Sequence, residues 1–133
     1  MSVRAVLAAL LLLVPSTAAI ACGHCVEDKV AAAYDHSVIV RSLERRHEVA
    51  FFAIEGAIAE SPRLSREIQN ALESTRGVDR GTARVSLPAG SLSFAYDPAR
   101  QKLGPIVRAL DKTLAPKGLS TSLLRVINQG SSE

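Results

Sequence analysis

Two short runs with a strict period of two, standing back to back, restrict the folds open to this chain more than any other stretch. Ala83, Val85 and Leu87 alternate with Thr82, Arg84 and Ser86; beyond Pro88-Ala89-Gly90, Leu92, Phe94 and Tyr96 alternate with Ser91, Ser93 and Ala95. That period places alternate side chains on opposite faces, so it predicts two half-buried strands joined as a hairpin.

The flanks supply the remaining elements. Upstream, Ser61-Pro62 is a helix start, with serine as N-cap and proline in the first helical position, and Leu64, Ile68, Ala71 and Leu72 mark one apolar stripe before Gly77 stops the helix. Further upstream, His47 to Glu55 contains Phe51 and Phe52, is bounded by Gly56, and reads as a buried strand through the middle of the core. Downstream of Asp97-Pro98, Leu103, Ile106, Val107, Leu110 and Leu114 fall on a helical stripe, with Pro105 close enough to its start to be tolerated. Pro116-Lys117-Gly118 breaks that helix, Leu119 to Ile127 reads as a last strand, and residues 128–133 as a frayed tail. Strand, helix, strand, strand, helix, strand is the split βαβ order. The expected fold is therefore α+β and ferredoxin-like (βαββαβ): a four-stranded antiparallel sheet with two helices on one face.

An extra helix precedes this unit. From Cys25 to about Arg46 there is no glycine or proline, and Val26, Val30, Ala33 and Tyr34 recur at helical intervals, which predicts one helix opening at the second cysteine. Glu27 and Asp28 would then lie in its first turn, where the helix dipole favours acids; the β-branched Val38-Ile39-Val40 leaves its second half open to an extended alternative. Before it, Arg4, an apolar block from Ala5 to Val14, Pro15 and the small residues Ala18, Ala19 and Ala21 have the form of a secretory signal peptide. The block is roughly half of the ~20 residues that a membrane span needs, so no span is expected once the leader is removed. Cleavage after Ala21 makes Cys22 the first residue of a periplasmic or secreted chain of 112 residues, 133 less 21, enough for one domain. The expected organisation is residues 1–21 as leader, 22–46 as helix, 47–127 as the ferredoxin-like domain and 128–133 as tail. Arg4 is the one charge in the leader, so the remainder carries 15 basic and 13 acidic residues, a balance of +2 that is too mild to argue for nucleic acid. Its basic residues are scattered: Arg41, Arg45 and Arg46 in one cluster, Arg76, Arg80 and Arg84 far along the chain, each read as a solvated face.

From His47 to Ile127 the chain resembles the heavy-metal-associated domain family, the copper chaperone-like modules also found at the front of metal-pumping ATPases. The resemblance rests on Gly77-Val78-Asp79, on the alternating run Thr82 to Leu87, and on Phe94-Ala95-Tyr96-Asp97-Pro98. It implies the ferredoxin-like fold, binding or transfer of a metal ion without catalysis, and a metal-transporting or metal-accepting protein as partner. In that family the metal-binding CxxC lies between the first strand and the first helix. Here that loop is Gly56-Ala57-Ile58-Ala59-Glu60-Ser61-Pro62 and holds no cysteine, whereas Cys22-Gly23-His24-Cys25-Val26 looks like the family's loop displaced to the front of the extra helix.

Both cysteines of the chain lie in that quartet. A bridge across so small a loop would constrain the unfolded chain by roughly 2 kcal/mol, against about 3 for a loop of 15 residues, so reactivity or metal binding explains the spacing better than stapling. Two thiolates at a helix N-terminus converge on one soft ion and have lowered pKa values. Two sulfurs suffice for Cu(I), the expected cargo, while tetrahedral Zn(II) requires further ligands. Cys22 and Cys25 are thus the candidate metal ligands and His24 the auxiliary. His36 reads as an exposed helix residue and His47 as an ordinary residue at a strand start.

Three other readings stand beside this one. Cys-Gly-His-Cys is also the active-site quartet of protein disulfide isomerases, which suggests thiol–disulfide exchange, although a strand belongs directly before the first cysteine of that fold. Cys22 could be the lipidated first residue of a lipoprotein, although Ala19 stands where such signals prefer leucine. The last reading is an inert bridge on an accessory interaction domain. Ser91, Ser93, Asp97 and Glu55 have no histidine at a spacing that suggests a hydrolytic triad, and no phosphate-binding glycine loop is present.

Overall fold

A computed structural model describes residues 21–131, with side chains from residue 26 onward. Its elements in chain order are α1 (Ala21–Ala32), α2 (His36–Glu44), β1 (Glu48–Glu55), α3 (Pro62–Ser74), β2 (Arg84–Ser86), β3 (Ser91–Tyr96), α4 (Leu103–Leu114) and β4 (Ser120–Ile127). The four strands form one antiparallel sheet in the order β2-β3-β1-β4. From β1 onward the order is that of the expected ferredoxin-like α+β fold, with β1 in the interior of the sheet.

The local signals act where they are written. The Ser61 hydroxyl accepts from the Leu64 amide at 3.0 Å with Pro62 in the first turn of α3. The helix ends at Ser74, and Gly77, at φ +94°, closes the turn beyond it. A β-bulge in β4 sets Phe51 opposite Arg125 but Phe52 opposite Leu123, so Leu124 has no partner of its own. Gly56, at φ +117°, turns the chain out of β1; a Cβ there would stand 2.5 Å from the Gly118 carbonyl oxygen, so the turn demands glycine twice over.

The region before the sheet departs from expectation in two ways. First, it is two helices, not one running to Arg46. The chain turns at Ala33–Asp35 because Asp35, in an extended conformation, accepts from the Ser37 and Val38 amides at 2.9 and 3.3 Å and so starts a new helix. Val38 and Ile39 lie inside α2 and are buried. Because α1 spans Ala21–Ala32, Glu27 and Asp28 lie beyond its first turn.

Second, β3 is buried on both sides. Leu92, Phe94 and Tyr96 pack with Ala50, Phe52 and Ile54 of β1, Ile68 and Leu72 of α3 and Ile106 and Leu110 of α4. Ala95, Val49 and Phe51 pack with Val30, Ala33, Val38 and Ile39 of α1 and α2. The sheet is therefore the middle of three layers, α1 and α2 covering the face opposite α3 and α4. Ser93, read as a solvent-facing residue, is 3 % exposed, and its hydroxyl donates to the Ala33 carbonyl at 2.6 Å. The start of the tail is also ordered: the Ser131 amide donates to the Asn128 carbonyl at 3.0 Å, and Gln129 Nε2 to the Leu43 carbonyl at 2.8 Å. Among the described residues no helix is long and apolar enough to cross a membrane.

Candidate functional site

Residues 22–25 belong by their backbone to the first half of α1; the side chains of Cys22, His24 and Cys25 lie outside the described residues. What can be followed is how the rest of α1 is held. Val30 and Ala33 are 5 % and 2 % exposed against the sheet. One turn back, Lys29 Nζ donates to the carbonyls of Ala89 and Gly90 at 2.7 and 3.2 Å, on the turn between β2 and β3. On the flank, Arg125 of β4 donates to Glu27 at 2.6 Å.

These contacts give α1 a direction. Ala33 lies over Ser93, near the middle of β3, and Lys29 lies over Gly90, just before β3 begins. Because β1 and β3 are antiparallel, that is the end at which β1 runs out into the loop Gly56–Ser61. Loop and helix meet there: a Cβ on Gly90 would stand 3.1 Å from Lys29 Nζ and 3.2 Å from Ile58 Cδ1. Positions 22, 25, 29 and 33, and likewise 22, 26, 29 and 33, follow one another by three or four residues, the spacing of a single helix face. Val26 is among the residues packed against the second core layer.

The loop itself borders a cleft of about 310 Å³ lined by Ala57, Ala59, Leu64 and Leu119, with Arg63, Glu67 and Lys117 at its rim. Glu67 accepts from Lys117 Nζ at 2.6 Å and Arg63 Nε at 3.0 Å, and these bonds, Lys117 first, hold its carboxyl below the usual range. The cleft lining presents neither thiol nor imidazole. Among the described residues no three His, Cys, Asp or Glu side chains are grouped to hold a metal ion.

His36 is exposed, its Nδ1 3.2 Å from the Tyr34 hydroxyl. His47 is more than a residue at a strand start. Its Nδ1 lies 2.6 Å from Asp79 Oδ2 and its Nε2 3.6 Å from Asp97 Oδ2, with all three side chains about four-fifths buried. The two acids stand 18 positions apart and meet because Val78 bridges to Tyr96. In the sequence Asp97 stood out beside Pro98 and Asp79 beside Gly77-Val78, but no spacing links either to His47. The cluster fastens the start of β1 to the two turns beside it.

No protein-family profile and no curated protein matches the chain. Solved structures do. A copper binding domain from HMA7, a P-type ATPase, is 19 % identical with a TM-score of 0.49, covering 59 % of this chain and 96 % of that one. A Bacillus anthracis protein proposed to bind copper ion is 18 % identical with a TM-score of 0.47, covering 57 % and 96 %. Oxidized MerP from Ralstonia metallidurans CH34 is 16 % identical with a TM-score of 0.45, covering 59 % and 99 %.

Proposed function

We propose that the chain, exported to the periplasm and cleaved after Ala21, binds a soft metal ion through Cys22 and Cys25 and hands it to a metal-accepting or metal-transporting protein. Cu(I) is the cargo: two thiolates satisfy its preference for few, soft ligands, and His24 is an auxiliary donor. Zn(II) requires two further ligands. Transfer of an ion between thiolates breaks and forms only metal–sulfur bonds, so no catalytic residue is required.

The observation that supports this reading best is the direction of α1. Lys29 anchors the helix beside Gly90 and Ile58, and the CxxC occupies the next turns toward the N-terminus. That line leads to the end of the sheet from which the cysteine-free Gly56–Ser61 loop emerges. In the family that the sequence resembles, this is the end that carries the thiols. The displaced motif would thus reach the family's position by a different route through the chain.

The test is an anaerobic Cu(I) titration of the reduced mature chain against a chromophoric chelator. One equivalent per chain is expected, lost in the Cys22→Ser, Cys25→Ser double variant. Equal binding by that variant would sink the proposal.

A further inference from the structure

The arginines that look scattered in the sequence are partly gathered by the fold. Arg41, on the exposed side of α2, and Arg45, which caps its C-terminal end, stand four residues apart, and Arg80 comes from the loop after α3. The three line one cleft of about 330 Å³ whose walls include Ser42, Asp79 and Gly81. The cleft adjoins Asp79, at the end of the sheet where β1 begins, and so opposite the end toward which α1 carries the thiol pair.

Four cations are paired with carboxylates, Arg84 with Asp35, Arg63 and Lys117 with Glu67, and Arg125 with Glu27; the other described lysines and arginines, those of this cleft included, are not. Among the described residues, none of Arg41, Arg45 and Arg80 has an acidic partner; Arg41 donates through Nε to the Ser37 carbonyl at 3.1 Å and through Nη2 to the Ser37 hydroxyl at 3.4 Å. The one carboxylate in the cleft wall, Asp79, is engaged by His47 at 2.6 Å. Ser42 and Val38, each 3 % exposed, are the buried part of the lining. Gly81, at φ +77°, has open space where a Cβ would be, while its amide donates to Glu73 Oε2 at 3.0 Å, so a second carboxylate stands beside the cleft and a ligand meets the arginines, not the Gly81 amide.

Three arginines that line one concavity bring positive charge to it and raise its potential for anions. A carboxylate is satisfied by a single guanidinium fork, whereas a phosphate presents enough oxygens to engage several forks at once. We propose that this cleft is a binding site for a phosphate group, free or carried as a monoester, independent of the thiol pair.

The experiment follows the arginine Nε–H and backbone amide signals of the ¹⁵N-labelled mature chain at fixed ionic strength, titrated with inorganic phosphate and, separately, with glycerol phosphate. Saturable shifts are expected at Arg41, Arg45, Arg80, Gly81 and Thr82. The Arg41→Gln, Arg45→Gln, Arg80→Gln variant should weaken binding by at least about tenfold, and the control Arg66→Gln, Arg108→Gln should not. Equal affinity for the two ligands assigns the free anion; tighter binding of glycerol phosphate assigns the ester. If the triple variant loses its far-UV spectrum, Arg80→Gln, in a loop, carries the test, with a loss of about threefold or more expected. Shifts that do not saturate, that are as large at Arg66 and Arg108, or that survive removal of the arginines would overturn the proposal.

Discussion

Arg84 of β2 holds the Asp35 carboxylate through Nε at 3.0 Å and Nη2 at 2.9 Å, both on Oδ2, across 49 positions of sequence. That leaves Oδ1 for the start of α2, where it accepts from the Ser37 amide and hydroxyl at 2.9 and 2.7 Å. One carboxylate thus ends the run of α1, starts α2 and ties the second helical layer to an edge strand of the sheet.

The pair has a pH signature. Hydrogen bonds from Ser37 and then from Arg84 hold the Asp35 carboxyl far below its ordinary value of 3.8. As the folded-state pKa is depressed, its stabilisation is complete above the unfolded value and decays as pH falls below it toward the folded one. Asp35→Asn keeps a cap but removes the titration and the charge that Arg84 meets. Urea midpoints measured from neutral pH down to strong acid should show the variant less stable at neutrality and losing less stability on acidification. Parallel pH profiles would contradict this.

Phe51 and Phe52 test the three-layer arrangement. They are neighbours in β1 and each is 1 % exposed, but Phe52 faces α3 and α4 while Phe51 faces α1 and α2. Each should cost about 3–5 kcal/mol when changed to alanine, by urea unfolding. Were the face toward α1 and α2 open to solvent, Phe51→Ala would cost only about 0.5 kcal/mol.

What could be read ahead of the structure follows the range of each signal. The Ser61-Pro62 start, the helical stripes and the period of two from Ala83 to Tyr96 are local, and they suffice for the order of elements and the ferredoxin-like sheet. The break at Asp35 is made by a local N-cap that the glycine- and proline-free run from Cys25 to Arg46 masked; only the Arg84 contact that supports it lies in another element. Ser93 and Ala95 looked solvent-facing because they are small or polar; only the docking of α1 buries them. The β2 run was overestimated for a related reason: Thr82 leaves the ladder to bind the Asp79 carbonyl at 2.6 Å, and only Arg84–Ser86 pairs with β3. The CxxC was legible as a motif, whereas the direction in which α1 carries it depends on Lys29 meeting a turn 60 positions away. The His47–Asp79 contact and the arginine cleft are likewise products of the fold, with no spacing to announce them.

Two glycines with positive φ should respond differently to alanine. At Gly56 the new Cβ meets the Gly118 carbonyl oxygen at 2.5 Å, backbone against backbone, whereas at Gly118, φ +70°, it meets nothing within 4 Å. Gly118→Ala should therefore lose only the left-handed preference, about 1 kcal/mol, and Gly56→Ala about 2–3 kcal/mol, because the loop must also shift. Thermal unfolding of both variants ranks them, and the reverse order would show that the β1 exit is not tightly packed on the turn after α4.

Lys29 is the anchor on which the direction of α1 rests. Its ammonium meets two carbonyl oxygens of the β2–β3 turn in a half-buried position, and no carboxylate is paired with it among the described residues. Lys29→Met keeps the apolar stem against the turn but leaves both carbonyls without that donor, at about 1–2 kcal/mol after allowance for solvent at the site. The loss should be local, because Val30 and Ala33 lie beside Lys29 while Ile68, Leu72, Ile106 and Leu110 belong to the opposite layer. Native-state hydrogen exchange should then show faster amides in the second half of α1 and unchanged protection in α3 and α4. Equal acceleration in all four helices would mean that α1 unfolds only with the whole domain, and that Lys29 contributes to global stability, not to the placement of the helix that carries the thiols.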